Sequence, residues 1–235
     1  MISQGAAGAK EKINMNEYPT LPEGLFLRET AHGLVLTDGN LEIGGDFSKN
    51  LRRLRQSNLE RELIVRACRI RGAEMPLTVV DATAGLGEDS LLLAAAGFKV
   101  RMYEYDPVLA VLLADALRRA ADDPALAEAA GRMELCPEDS IPAMRELPFR
   151  PDVVLLDPMF PERTKSAQVK KKFQLIHSLE KPCTDERELL DAAKAAGPRR
   201  IVIKRPVKGP LLGGVKPDAV YAGKAVRYDV LIFPA

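Results

Sequence analysis

The segment Asp157-Pro158-Met159-Phe160-Pro161 follows an apolar run, Val153 to Leu156, and combines groups suited to a planar amine. The lone pair of an exocyclic amine on a base is delocalised into the ring, so methylating it needs help. A site can accept both N–H hydrogens, here at the Asp157 carboxylate and the Pro158 carbonyl, so that nitrogen pyramidalises towards an electrophile. Pro158 stiffens the loop, and Phe160 offers a stacking face for an extruded base. Proximity and orientation of this kind contribute roughly 7–11 kcal/mol to such a reaction. Asp157, Pro158 and Phe160 are therefore the catalytic candidates.

A second constellation lies upstream in Asp81-Ala-Thr-Ala-Gly85-Leu-Gly87-Glu88-Asp89. It sits between a strand-like run and a helix-like run, where glycines let the backbone approach a ligand. A dinucleotide-binding turn would carry a third glycine where Ser90 stands. Asp81, Glu88 and Asp89 would repel a pyrophosphate and welcome a cation. Glu104 comes 17 residues after Gly87, where a carboxylate can take both hydroxyls of a ribose. S-adenosylmethionine, with a sulfonium cation, an adenosine and no phosphate, suits this pair of features better than a nicotinamide dinucleotide.

The elements that must position these groups are legible as alternating runs. Leu77–Asp81, Lys99–Glu104, Met133–Cys136, Asp152–Asp157 and Arg200–Lys204 read as strands. Helices are expected after Gly87 as far as Gly97, from Asp106-Pro107 to Arg119, after Asp139-Ser140, and over about 185–196. Ala219–Ala222 and Val226–Phe233 read as a closing hairpin about Gly223-Lys224. This order predicts an α/β fold: a doubly wound, Rossmann-like, mainly parallel sheet with ligands outside the carboxyl ends of its strands. Ahead of it, residues 1–45 read as a small β-rich appendage with an Asp38-Gly39 turn. Residues 46–76 read as a basic lead-in, with one amphipathic helix from Asn58 to Arg71, and residues 77–235 as the main domain.

Composition narrows the partners. The 235 residues carry 34 Lys and Arg against 33 Asp and Glu, so the net charge gives no global attraction to a polyanion. The distribution is uneven, however: Lys49–Arg71 holds eight bases and two acids, and Arg163–Lys172 holds five bases and no acid. Cys68, Cys136 and Cys183 are odd in number and widely spaced, which speaks against a disulfide framework or a structural zinc site. His32 and His177 form no metal-ligand pattern, and no metal is expected. No apolar run has signal-peptide or membrane-span character, so a cytoplasmic location is expected.

Four segments together carry a family resemblance: Asp157-Pro-Met-Phe-Pro161, Asp81-Ala-Thr-Ala-Gly-Leu-Gly87, Lys165-Ser-Ala-Gln-Val-Lys170-Lys171, and Val202-Ile-Lys204-Arg205-Pro206. The combination closely resembles the RsmJ family of S-adenosylmethionine-dependent methyltransferases, from about Asp46-Phe47 to the C-terminus. The resemblance implies methylation of a guanine N2 in small-subunit (16S) ribosomal RNA, with the RNA or the small ribosomal subunit as partner. It places the cofactor against Glu88, Asp89, Glu104, Tyr105, Asp139, Ser140 and Asp157, beside the turn residues Asp81, Gly85 and Gly87 already read as its cradle. Lys165, Lys170, Lys171, Lys204 and Arg205 are the candidate RNA contacts. Other readings stay open on the residues alone: N-methylation of a DNA adenine or a protein amide, a nicotinamide-dependent reductase, or a non-catalytic RNA-binding assembly factor. Which guanine is modified, and the oligomeric state, are not legible.

Overall fold

In a computed structural model of the chain, the residues described are 19–158 and 186–234. Seven strands form the central sheet: β4 (Thr78–Asp81), β5 (Lys99–Tyr103), β6 (Met133–Cys136), β7 (Val153–Leu156), β8 (Arg200–Pro206), β9 (Ala219–Ala222) and β10 (Val226–Ile232). Their order across the sheet is β6-β5-β4-β7-β8-β10-β9. All neighbours are parallel as far as β8, and β10 runs antiparallel between β8 and β9. The α/β, mainly parallel sheet with a C-terminal antiparallel hairpin is thus as the alternation of elements implies.

The inner strands read as continuous apolar runs because both faces are covered. Val79, Val153, Leu155 and Val202 pack on one side, with α2 (Leu63–Cys68), α3 (Glu88–Ala95), part of α4 (Pro107–Asp122) and α5 (Ala127–Ala130). Val80, Val154, Leu156, Ile201 and Ile203 pack on the other, with α6 (Ser140–Arg145) and α7 (Glu186–Ala195). The start of α4 is fixed locally: Pro107 opens the helix, and Asp106 accepts hydrogen bonds from the Val108 and Leu109 amides, each at 2.9 Å. Such a cap is worth about 1 kcal/mol.

The preceding strands β1 (Phe26–Thr30), β2 (Gly33–Thr37) and β3 (Glu42–Ile43) form a separate antiparallel sheet. Leu34 and Leu36 bury against Val108, Leu109, Val111 and Leu112 of α4. Asp115 then ties the layers together. It accepts from the Leu34 amide at 2.9 Å and from Arg119 at 2.8 Å, and Arg119 also reaches the Gly45 carbonyl.

The lead-in differs from the single helix expected over Asn58–Arg71. It folds as a 3-10 turn at Phe47–Asn50, then α1 (Gln56–Leu59), then α2. Glu62 takes an extended backbone (φ −62°, ψ 126°), and its carboxylate is held by Arg53 at 2.8 and 2.9 Å. The break lets Leu59 and four residues of α2 reach the core together. Helical spacing of apolar residues survived in the sequence, but tertiary packing divided the helix.

Candidate active site

The site lies where the carboxyl ends of β4, β5, β7 and β8 converge. After β4 the chain turns through Thr83 and the two glycines into α3. The turn is stitched to its neighbours: Ala82 donates to the Leu155 carbonyl at 3.0 Å, and Ala84 to the Tyr103 carbonyl at 3.1 Å. Gly85 and Gly87 both have positive φ, 54° and 75°. The two glycines face different surroundings. A Cβ on Gly87 would lie 2.6 Å from Leu113 Cδ1, whereas one on Gly85 would project into open space. Gly87 therefore allows close packing on α4 and Phe47, and Gly85 leaves a cradle beside the strand ends.

Asp81 is buried and turned inwards. Its carboxylate accepts from Ser90 Oγ at 2.6 Å and from the Thr83 amide at 3.1 Å, which fixes the turn rather than facing a ligand. Burial raises its carboxyl to about 6, against the pull of those hydrogen bonds. Glu104 closes the cradle from β5. One oxygen accepts from the Gly85 amide at 2.8 Å and the other from the Asp106 amide at 2.9 Å. Burial raises Glu104 to about 7, although both amide hydrogen bonds favour its ionised form. Both oxygens keep further lone pairs for hydroxyl donors.

The remaining expected cofactor positions are distributed around this cradle. Glu88 and Tyr105 are exposed, and Asp89 is half-buried at the start of α3. Asp139 caps α6 by accepting from the Ile141 amide at 2.9 Å, and Ser140 is buried behind it. Asp157 and Pro158 stand at the end of β7, with the Asp157 amide donating to Thr83 Oγ1 at 2.7 Å. Thr83 thus joins the glycine turn to the catalytic candidate. Sequence reasoning missed it, as it missed Ser90 as the partner of Asp81; the only signal for Thr83 was a hydroxyl two residues past the strand.

Two of the expected RNA contacts, Lys204 and Arg205, lie among the described residues, and both make ion pairs within the protein. Lys204 points into the site, with its ammonium 2.7 Å from Asp89 Oδ2 and 2.8 Å from Asp157 Oδ2. Arg205 is fully buried and reaches Glu186 Oε1 at 3.2 Å. Successive side chains of a strand leave on opposite faces, so the two cations meet different carboxylates on opposite sides of the sheet. They cannot form one phosphate clamp. Phe160, Lys165, Lys170, Lys171, His177 and Cys183 lie outside the described residues.

The charges of the site fit a cationic ligand. Asp89 and Asp157 flank one ammonium, Lys204, and Asp81 and Glu104 add carboxylates at the adjoining turn. Burial raises the Asp157 carboxyl above the ordinary range, and Lys204 opposes the shift. Burial alone would lower Lys204, but Asp89 and Asp157 raise it instead, so it stays charged. A sulfonium and an amino-acid ammonium would meet complementary charge here, and the cradle at Gly85 and Glu104 would take an adenosine ribose.

A sheet of this order with one antiparallel strand, a carboxylate-lined glycine turn and an Asp-Pro strand end define a methyltransferase dependent on S-adenosylmethionine. Comparisons with known proteins agree. A family model described as "Putative SAM-dependent methyltransferase" matches residues 13–233. The ribosomal RNA small subunit methyltransferase J of Thioalkalivibrio sulfidiphilus is 43% identical over 217 residues, covering 88% of this chain and 84% of its own. The protein of the same name from Alkalilimnicola ehrlichii is 39% identical over 228 residues, covering 92% and 85%. The crystal structure of a SAM-dependent methyltransferase from Neisseria gonorrhoeae superposes with a TM-score of 0.73 at 32% identity, covering 93% of this chain and 89% of that one. The chain belongs to the ribosomal RNA small subunit methyltransferase J family, and its cofactor is S-adenosylmethionine. Among the described residues no helix is long and apolar enough to cross a membrane.

Proposed function

We propose that this chain methylates the exocyclic N2 of a guanine in small-subunit (16S) ribosomal RNA, acting as a domain over about residues 46–235 with 1–45 as an appendage. The observation that carries the reading is Asp157. It is fixed at a strand end by Thr83 and Lys204, next to Pro158 and beside a carboxylate-lined cofactor cradle. Support for an RNA substrate comes from the relatives, which are named as ribosomal RNA methyltransferases.

When bound, S-adenosylmethionine supplies an electrophilic methyl carbon on a positively charged sulfur. Glu104 would hold the ribose hydroxyls, and Asp139 and the Gly85 backbone would take the adenine and the rest of the adenosine. Asp89, on the rim of the same cradle, adds negative charge for the cationic end. Asp157 accepts one amine hydrogen and the Pro158 carbonyl accepts the other, turning the N2 lone pair out of the ring plane. In such a transfer the amine nitrogen would take the methyl, and the C–S electron pair would stay on sulfur. The amine becomes cationic at the Asp157 carboxylate, which stabilises that charge until a proton is lost to water. Preorganised groups of this kind are worth about 10²–10³ in rate each.

Lys204 is a positioning residue in this reading. Its bond to one Asp157 oxygen keeps the carboxylate ionised and leaves the other oxygen for the amine. The reading is tested by labelled methyl transfer to unmodified small subunits, naked small-subunit RNA and DNA, followed by nucleoside analysis. Label in N2-methylguanosine is the expected result; label in another nucleoside, or only in DNA, contradicts it.

A further inference from the structure

We propose that the exposed arginines of the lead-in, Arg52, Arg55, Arg61 and Arg66, form the surface that grips the phosphate backbone of the RNA beside its target base. The inference rests on the RNA-methylating reading above and identifies the face of the protein it would use.

Six arginines of this segment, Arg52, Arg55, Arg61, Arg66, Arg69 and Arg71, are exposed, and among the described residues none has an ion-pair partner. The bases that do find a partner here, Arg53 with Glu62 and Lys49 with Asp46, use acids of the same stretch. Guanidinium groups left in excess suit phosphate, which they can bind through two parallel hydrogen bonds.

Their place in the fold turns an excess of charge into a located surface. The segment begins against the site: Phe47 packs at Gly87 of the cofactor turn, and Arg53 feels the charges of Glu88 and Asp89. It then crosses the β9 edge of the sheet, where α2 buries Ile64, Val65, Ala67 and Cys68 and leaves its basic side outward. Arg66 lies over the Tyr221 ring, 5.7 Å from its centroid. Tyr221 pairs with Tyr228, and Tyr228 with Lys204, so Arg66 stands at the same level of the sheet as the ammonium that holds Asp157. Two strand spacings, about 10 Å, separate the backbones of Tyr221 and Lys204, so the guanidinium over Tyr221 lies on the flank of the site where nucleotides beside an extruded base would pass.

The opposite edge of the sheet has the opposite character. Residues 115–139, beside β6, carry seven carboxylates against three arginines, and all three arginines are already paired. A polyanion would therefore be drawn to the β9 side and repelled from the β6 side, which orients it over the site although the net charge is only +1.

The test compares the wild type, an Arg52→Gln/Arg55→Gln/Arg61→Gln variant and the corresponding triple lysine variant. Methyl transfer to unmodified small subunits and to their naked RNA is followed across a salt series, with cofactor affinity and Tm measured in parallel. The glutamine variant is expected to raise the KM for RNA on the order of tenfold and to lower the slope of log KM against log salt by roughly 2–3, about one per lost phosphate contact. Lysine should restore most of the slope, and cofactor affinity should not change. Arg61→Gln alone should lower the slope by about 1, so that a folding defect in the triple variant cannot mimic the result. A wild-type KM and slope in the glutamine variants overturns this surface alone. A wild type that transfers no methyl to ribosomal RNA overturns the RNA-methylating reading, and this inference with it.

Discussion

The ammonium of Lys204 lies 2.8 Å from Asp157 and makes a second bond, of 2.7 Å, to Asp89. One cation therefore ties the acceptor side of the site to the cofactor side. Lys204→Met should leave Asp157 beside Asp89 with, among the described residues, only Arg205, on the far face of β8, to favour its ionised form. Its carboxyl would then rise further above the ordinary range. Since the ionised form accepts the amine hydrogen, the acid limb of the pH–rate profile should move to higher pH, with activity partly recovered under alkaline conditions. A profile that is merely scaled down would contradict the role given to Lys204.

The two glycines of the turn should fail in different ways. Gly87→Ala forces a Cβ to within 2.6 Å of Leu113 Cδ1, at a positive φ, and is expected to lower Tm by several degrees. Gly85→Ala meets no atom, so its cost to the fold is the left-handed conformation alone, roughly 1–2 kcal/mol. The same Cβ enters the cradle and should weaken cofactor binding about tenfold or more. Thermal unfolding and cofactor titration together separate the two effects.

Cofactor affinity should follow the ionisation of Glu104. Burial holds its carboxyl at about 7 in the free protein. The bound cation and ribose hydroxyls favour the ionised form, so below that pH binding must expel a proton. Affinity is then expected to rise with pH, up to tenfold per unit below about 7, and to level off above it. The unliganded protein shows the opposite sense. The folded pKa is raised, so the stability due to Glu104 is fully present below the ordinary carboxyl value of 4.5 and is lost as pH rises through about 7. Calorimetric titration in buffers of different ionisation enthalpy would count the protons, and an affinity independent of pH would refute the assignment.

Arg205 should behave as a structural residue. It is buried against Glu186, which also accepts from the Gly213 amide at 3.1 Å, so it locks α7 to the loop after β8. Arg205→Gln is expected to cost about 1–3 kcal/mol of stability, while the salt dependence of RNA binding stays unchanged. A lowered salt slope at an unchanged Tm would return Arg205 to the RNA contacts.

Much of this was legible because it is local. Asp106-Pro107 announced the start of α4, the apolar runs announced the strands, and Gly223-Lys224 announced the β9–β10 hairpin. The place of β10 between β8 and β9 was not legible, since strand pairing is decided by partners far apart in sequence. The site was legible in composition and less so in pairing. Asp81 was read as a cofactor contact, but Ser90, nine residues on, turns it inwards. Lys204 and Arg205 were both read as RNA contacts, and the sequence did not show that the period of a strand sends them to opposite faces. The lead-in helix failed for a tertiary reason, because the break at Glu62 lets Leu59 and the apolar face of α2 bury together.

The most direct test is the rate of methyl transfer in a single turnover with Asp157→Ala, at saturating cofactor and with unmodified small-subunit RNA. Among the described residues the Asp157 side chain bonds only Lys204, and its backbone bond to Thr83 survives the substitution. The rate is expected to fall on the order of 10²–10³-fold with Tm nearly unchanged. Turnover close to the wild type would contradict the proposal that Asp157 prepares the amine for methylation.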